Sequence, residues 1–134
     1  MNRENTQRGS IAYRGRAKQL IDYSGLKYGR VTPTDIDGLI EYHDRCFVLY
    51  EFKYRDTELP IGQRIALERI VDNLNKPAIL IVAEHDTGTR ADIQADVCKV
   101  REYYYNGRWE YCHITVKELT DMFIHRYVTG FDAE

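Results

Sequence analysis

The sequence lacks any apolar run approaching the roughly 18 to 20 residues that a membrane-spanning helix requires, so no such helix is expected. Its opening, Met-Asn-Arg-Glu-Asn-Thr-Gln-Arg, carries charge with no apolar segment behind it, which argues against a secretory signal. Cysteine is scarce. Cys46, Cys98 and Cys112 are odd in number and show no Cys-x-x-Cys spacing, which disfavours a disulfide framework or a zinc knuckle and favours a reducing, cytoplasmic setting. His43, His113 and His125 are too scattered for a zinc set, and no pair has His-x3-His spacing. There is no P-loop, no Gly-x-Gly-x-x-Gly fingerprint and no Ser-His-Asp arrangement, which removes the commonest nucleotide-binding and serine-hydrolase chemistries. Internal repeats and low-complexity segments are absent as well.

What is present suits one domain over residues 1–134. A chain of 134 residues has room for a single moderate core, 43% hydrophobic residues can fill it, and 30% charged residues can cover it. Tyrosine is abundant, at eleven, and partly wet tyrosines are common at binding surfaces. The formal net charge of -2 does not by itself mark a nucleic-acid binder, but its distribution is uneven. Up to Arg30 the basic residues Arg3, Arg8, Arg14, Arg16, Lys18, Lys27 and Arg30 face only Glu4 and Asp22. From Val31 to Pro60 acids dominate: Asp35, Asp37, Glu41, Asp44, Glu51, Asp56 and Glu58 against Arg45, Lys53 and Arg55. A basic arm beside an acidic centre suits a metal-dependent enzyme on a polyanion, the arm (Arg14, Arg16, Lys18, Lys27, Arg30) holding phosphates and the acids holding a cation. An ordinary solvated helix face accounts for the same charges.

Periodicity predicts a helix from about Gly9 to Tyr23, with Ile11, Ala17, Leu20 and Ile21 apolar and Gly25 at its stop. A hairpin follows, Asp37 to Tyr42 and Cys46 to Tyr54, turning through His43, Asp44 and Arg45. Gly62 to Asn75 carries a helical stripe of Ile65, Leu67, Ile70, Val71 and Leu74. Ala78 to Ala83 is a continuous run of apolar residues, the sign of a strand buried on both faces. Ile93 to Tyr105 reads as an irregular strand, and Asn106-Gly107 is a type I′ turn leading into a return over Arg108 to Ile114. Thr115 and Glu118 form a capping box that opens a last helix. Helix, hairpin, helix, strand, hairpin, helix implies an α/β (α+β) fold with a central mixed sheet flanked by helices.

The most informative stretch runs from Pro33 to Tyr54. On the second hairpin strand, alternation puts Phe47, Leu49, Glu51 and Lys53 on one face and Val48, Tyr50, Phe52 and Tyr54 on the other. Apolar residues on both faces imply an inner strand. A carboxylate and an ammonium are costly to bury there unless they meet each other, water or a metal. Asp37 and Glu51 each lie seven residues from Asp44, so a turn centred there brings the two acids level.

Asp37, Glu51 and Lys53, spaced D-x13-E-x-K across a hairpin, resemble the PD-(D/E)xK nuclease superfamily, whose members include restriction-endonuclease-like and Holliday-junction-resolvase-like enzymes. The resemblance covers mainly residues 33–54. It implies an αβββαβ core and Mg²⁺-dependent (or Mn²⁺-dependent) hydrolysis of phosphodiester bonds in DNA, with RNA and a preference for branched structures left open. Carried over, Asp37 and Glu51 are the metal-binding acids, with the Phe52 backbone carbonyl as a further ligand. Lys53 orients the attacking water or steadies developing charge, and Gln63 resembles a polar residue that several branches place on the following helix. The family's Pro-Asp pair is loosened here to Pro33-Thr34-Asp35-Ile36-Asp37, which makes Asp35 the second choice of ligand. The first helix offers no additional Glu, only Asp22 near its end, which leaves a second metal without an obvious ligand.

Cutting two strands calls for two sites, so a homodimer is expected. Small size and the resemblance point to a phage or mobile-element origin. A competing class is a catalytically inactive module of the same fold that binds nucleic acid or a protein. In the plainest alternative, Asp35 to Gly38 is a turn, and Glu51 to Lys53 an exposed edge strand with a cross-strand ion pair. His85 and Asp86 lie in a loop after the buried strand, where α/β sites often collect residues, although a solvated loop histidine explains them too. Tyr103, Tyr104, Tyr105 and Trp109 flank the Asn-Gly turn and fit either base stacking or cross-strand packing.

Overall fold

The computed structural model describes residues 20–128. The chain divides into two compact units, Met1–Pro33 and Thr34–Glu134. In the first, Tyr28 and Val31 exchange backbone hydrogen bonds of 2.8 and 3.0 Å across a tight turn. The helix expected from Gly9 to Tyr23 lies outside the described residues except for Leu20 to Tyr23, which are not helical. Arg14, Arg16 and Lys18 lie outside them too, while Lys27 and Arg30 are exposed.

The second unit holds a five-stranded mixed sheet in the order β1-β2-β3-β4-β5. Strands β1 (Gly38–Tyr42) and β2 (Cys46–Tyr54) form the expected antiparallel hairpin. Its turn places His43 and Asp44 at φ 48 and 60, and the Arg45 N–H donates to the Tyr42 carbonyl at 2.7 Å. His and Asp are among the side chains that tolerate this left-handed region best. Helix α1 (Ile61–Asn73) crosses over to β3 (Ala78–His85), which runs parallel to β2. A parallel pair needs such a crossover because a two-residue hairpin cannot reverse the chain twice. A short 3-10 turn (Ala95–Val97) then leads to the antiparallel strands β4 (Lys99–Tyr105) and β5 (Arg108–Tyr111), and α2 (Val116–Arg126) follows.

The described order is therefore ββαβββα. It agrees with the mixed sheet and flanking helices expected from the sequence. Of the αβββαβ core implied by the resemblance, only two strands precede α1 among the described residues, where that core has three.

Strand parity builds two cores. Leu49, Leu80, Val82 and Tyr104 pack with Leu67 and Val71 of α1 on one face. Val48, Tyr50, Ile79, Ile81 and Val100 pack with Val116, Leu119 and Phe123 of α2 on the other. Ala78 to Ala83 are all buried, as a strand covered on both sides demands. On α1, however, Ile65 and Ile70 are exposed and only Leu67 and Val71 are buried, with Leu74 partly so. Residues 67, 71 and 74 are spaced four and three apart and share a face; 70 falls on its flank and 65 on the opposite side of the helix. Gln63, one turn before Leu67, extends that inward stripe to the start of the helix.

The expected strand from Ile93 breaks instead into the 3-10 turn, and Ile93 and Val97 are exposed. Ile93, Ala95 and Val97 alternate with Asp92, Gln94 and Asp96 as a strand would, but the segment joins no strand of the sheet and these apolar residues stay exposed. Past the strand, Asn106 and Gly107 adopt φ 55 and 80, the positive pair of a type I′ turn. Tyr104 and Trp109 pack ring to ring at 5.3 Å, and Tyr105 meets Phe123 edge-on at 5.6 Å, so the aromatic cluster is cross-strand and cross-layer packing. All three cysteines are free. No helix among the described residues is long and apolar enough to cross a membrane.

The capping box of α2 is complete. The Glu118 N–H donates to Thr115 Oγ1 at 3.1 Å, and the Thr115 N–H donates to Glu118 Oε1 at 2.8 Å. Thr115→Ala removes the acceptor of one otherwise unsatisfied helix donor and is expected to cost about 1 kcal/mol, while Thr115→Ser retains most of the stability. Urea unfolding of the two variants checks this.

Candidate active site

The antiparallel ladder between β1 and β2 ends at the pair Gly38 and Tyr50. Asp37 stands opposite Glu51 one step further on, and there side chains replace the backbone pairing. The Asp37 N–H donates to Glu51 Oε2 at 3.1 Å, and the Phe52 N–H donates to Asp37 Oδ2 at 2.8 Å. Each acid thus grips the other strand's backbone at the point where the strands part. Gly38 allows the close approach: a Cβ there would come within 3.3 Å of the Tyr50 ring.

From above, the first turn of α1 adds Gln63. Its side-chain amide donates to Glu51 Oε1 at 3.0 Å and to the Asp35 carbonyl at 3.3 Å. Asp35, Asp37, Glu51 and Gln63 therefore meet at one end of the hairpin, and Lys53 lies two residues beyond Glu51 on the same strand face. Asp35 enters through its backbone carbonyl, with its exposed side chain acting at a distance. A residue's own N–H and C=O face the same edge of a strand. The Phe52 N–H faces Asp37, so its carbonyl is on that edge as well.

Glu51 is only 1% exposed. That excludes the exposed-edge alternative, since β2 is an inner strand with β1 and β3 on either side. Burial pushes the Glu51 carboxyl up to about 7, opposed by the bond from the Asp37 N–H. The Asp37 charge raises it further, Lys53 lowers it, and Asp35 raises it slightly. Lys53 is half-buried on the same strand face, and no described acid lies within ion-pair distance of its amine.

A hard divalent ion takes carboxylate and carbonyl oxygens and keeps several waters. The local donors are of that kind: two carboxylates and the Phe52 carbonyl. Two ionised carboxylates offer about four lone-pair sites each, of which Glu51 commits two and Asp37 one to hydrogen bonds. The donor chemistry fits Mg²⁺ or Mn²⁺. Among the described residues no group of three His, Cys, Asp or Glu side chains is gathered for a metal, so protein carboxylates alone do not make a closed cage.

Several residues around the site escape a reading of the sequence. Glu102 on β4 lies in the same row as Glu51, with Val82 of β3 between them. It is 7% exposed and receives both terminal nitrogens of Arg64, at 3.1 and 3.2 Å. Arg64 also stacks 3.8 Å over the Trp109 ring, whose Nε1–H donates to Glu68 at 2.6 Å. These bonds pin the start of α1, and with it Gln63, above the sheet. The adjacency of Gln63 and Arg64 was the available signal; the partner on β4 was not readable without the register.

A cleft of about 840 Å³ opens at the C-terminal ends of β2 and β3 and is lined by Arg55, Glu84, His85, Asp86, Asp92 and Lys99 among others. It adjoins Lys53 through its neighbour Glu84 but is not lined by Asp37 or Glu51. The His85 Nδ1 accepts a bond from the Thr87 N–H at 3.2 Å.

A carboxyl whose pKa is raised on folding binds its proton more tightly in the native state, so it lowers stability as pH climbs from about 4.5 to about 7. The parent's stability relative to Glu51→Gln is expected to fall by about 3 kcal/mol between pH 4.5 and pH 8. Urea denaturation of both proteins across that range checks it; parallel pH profiles would mean that Glu51 ionises normally. No protein-family model, curated protein or solved structure matches this chain.

Proposed function

We propose that this chain is a metal-dependent nuclease that hydrolyses phosphodiester bonds in DNA, with Mg²⁺ or Mn²⁺ held by Asp37, Glu51 and the Phe52 carbonyl. The observation that supports the reading is the meeting of two acids at the parting ends of β1 and β2, with an amine free of described acids on the same strand face. A hard ion there supplies activation of a water and neutralisation of phosphate charge. Lys53 adds fixed positive charge toward the non-bridging phosphate oxygens, where negative charge grows as the P–O bond breaks. Gln63 holds Glu51 from above, and Asp37 ties the end of β1 to Phe52, so both acids keep their positions without substrate. The basic residues Arg14, Arg16, Lys18, Lys27 and Arg30 serve as phosphate contacts, and a homodimer presents two sites to two strands. The cytoplasm, where nucleic acid is at hand, is the setting for this activity.

A second reading has its own support. Glu51 is almost fully enclosed and both its oxygens already accept bonds from the protein, which also suits a carboxyl that only locks the hairpin. That would describe an inactive module that binds nucleic acid or a protein.

The two readings part in one assay. Plasmid and branched DNA are expected to be cut with Mg²⁺ present and left intact with EDTA. Lys53→Ala should slow cutting by about 10²- to 10³-fold, and Asp37→Ala should abolish it. Intact DNA on every substrate with the parent protein would leave the binding module; full activity in either variant would remove the mechanism.

A further inference from the structure

Lys53 of β2 stands directly opposite Glu84 of β3 in the parallel ladder. Paired positions on adjacent strands project to the same face, and opposite charges so placed attract one another. Glu84 is thus the default partner for the Lys53 amine. It is taken elsewhere: Glu84 Oε2 accepts from Arg101 Nε at 2.6 Å.

Arg101 reaches Glu84 because of a break in the sheet. Val82 pairs with Glu102 and Ala83 with Val100, so Arg101 is an extra residue with no opposite number on β3. Such a bulge re-aims a side chain. Here it lets Val100 stay in the α2-side core and Glu102 stay under α1, while Arg101 turns toward the end of β2. The same guanidinium donates through Nη2 to the Arg55 carbonyl at 2.9 Å. Arg55 lies two residues past Lys53 at φ 50, and its N–H donates to the His85 carbonyl at 2.7 Å. A planar fork with several fixed donors can hold a carboxylate and a carbonyl together; a lysine ammonium at this position would lack that geometry.

We propose that Arg101 is a positioning residue that occupies Glu84 and thereby keeps the Lys53 amine uncommitted for the phosphodiester bound beside it. The role of the amine rests on the nuclease reading above; the competition between Arg101 and Lys53 for Glu84 does not.

Two measurements separate the two. In the folded protein, the rate at which an amine-acetylating reagent modifies Lys53, mapped by peptide mass spectrometry, reports whether the amine is paired. In Arg101→Ala that rate is expected to fall by about fivefold, the factor set by a half-exposed ion pair at the upper end of the usual range. The double variant Arg101→Ala with Glu84→Gln should recover it. Mg²⁺-dependent plasmid cleavage should follow the same pattern, slowed in the single variant and restored in the double. A purely structural role for Arg101 predicts no rescue, because Glu84→Gln does nothing to rebuild the bond to the Arg55 carbonyl. Arg101→Gln, which keeps a donor for that carbonyl while losing the charge, should behave as Arg101→Ala does and serves if the alanine variant unfolds. An unchanged acetylation rate in both single variants, or no recovery in the double, overturns the proposal. If acetylation follows the expected pattern while no variant cuts DNA, Arg101 keeps its hold over Lys53 and the nuclease reading is what fails.

Discussion

The structure turns on one exchange at the open end of the hairpin, where carboxylates stand in for backbone. Beyond Gly38 and Tyr50 the two strands separate, and separation leaves N–H groups that must find acceptors. Glu51 accepts from the Asp37 N–H, and Asp37 accepts from the Phe52 N–H. Two carboxylates this close, one of them buried on an inner strand, would ordinarily be a liability. Here they close the backbone's accounts at the point of divergence, and no buried side-chain polar atom among the described residues is left without a partner. The same bonds draw both acids to one place before any ligand arrives.

That arrangement depends on strand parity carried across the whole sheet. Leu49, Glu51 and Lys53 share the face under α1 because each is two residues from the next. The apolar members of that set anchor the register, since Leu49 packs with Leu67 and Val71, and a one-residue slip would expose it. The charged members are then carried to the strand's end by the same register. β3 fixes the far side: its six buried residues, Ala78 to Ala83, alternate between the two cores and tolerate no shift. The hydrophobic pattern that folds the sheet is what delivers the polar site.

This explains which parts were legible in the amino-acid sequence. The hairpin, its turn, β3, the Asn106-Gly107 turn and the Thr115 cap each follow from local chemistry: alternation, a continuous apolar run, left-handed φ preferences and a capping box. The proximity of Asp37 and Glu51 follows from counting outward from Asp44. What stayed hidden depends on contacts between distant segments. Arg64 and Glu102 are 38 residues apart and meet only because Val82 pairs with Glu102. The bulge at Arg101 leaves only an irregular alternation over Val-Arg-Glu, which does not locate the extra residue until the cores on both faces are known. The buried stripe on α1 is narrower than its apolar residues suggest, since Ile65 and Ile70 lie off the axis that Leu67, Val71 and Leu74 define. The third strand implied before α1 came from the resemblance and not from any periodicity in residues 31–37.

The two buried acids under α1 make an instructive contrast. Glu51 and Glu102 sit in one row across the sheet, separated by Val82, and both are met by consecutive residues of the same helical turn. Glu102 receives a guanidinium on both oxygens, so its charge is matched where it is buried. Glu51 receives only a side-chain amide and a backbone N–H, both neutral, and burial with Asp37 alongside drives it toward its protonated form. Lys53 eases that burden only in part. A carboxylate is the side chain that can accept from both the Asp37 N–H and the Gln63 amide, but unmatched by a positive charge it costs stability above its pKa. Glu51 is thus a buried carboxyl held in place by neutral donors beside a second acid, where Glu102 is held by a guanidinium. The difference between a matched and an unmatched acid, met by adjacent residues of one helix, is the contrast on which the proposal of a metal at Glu51 rests.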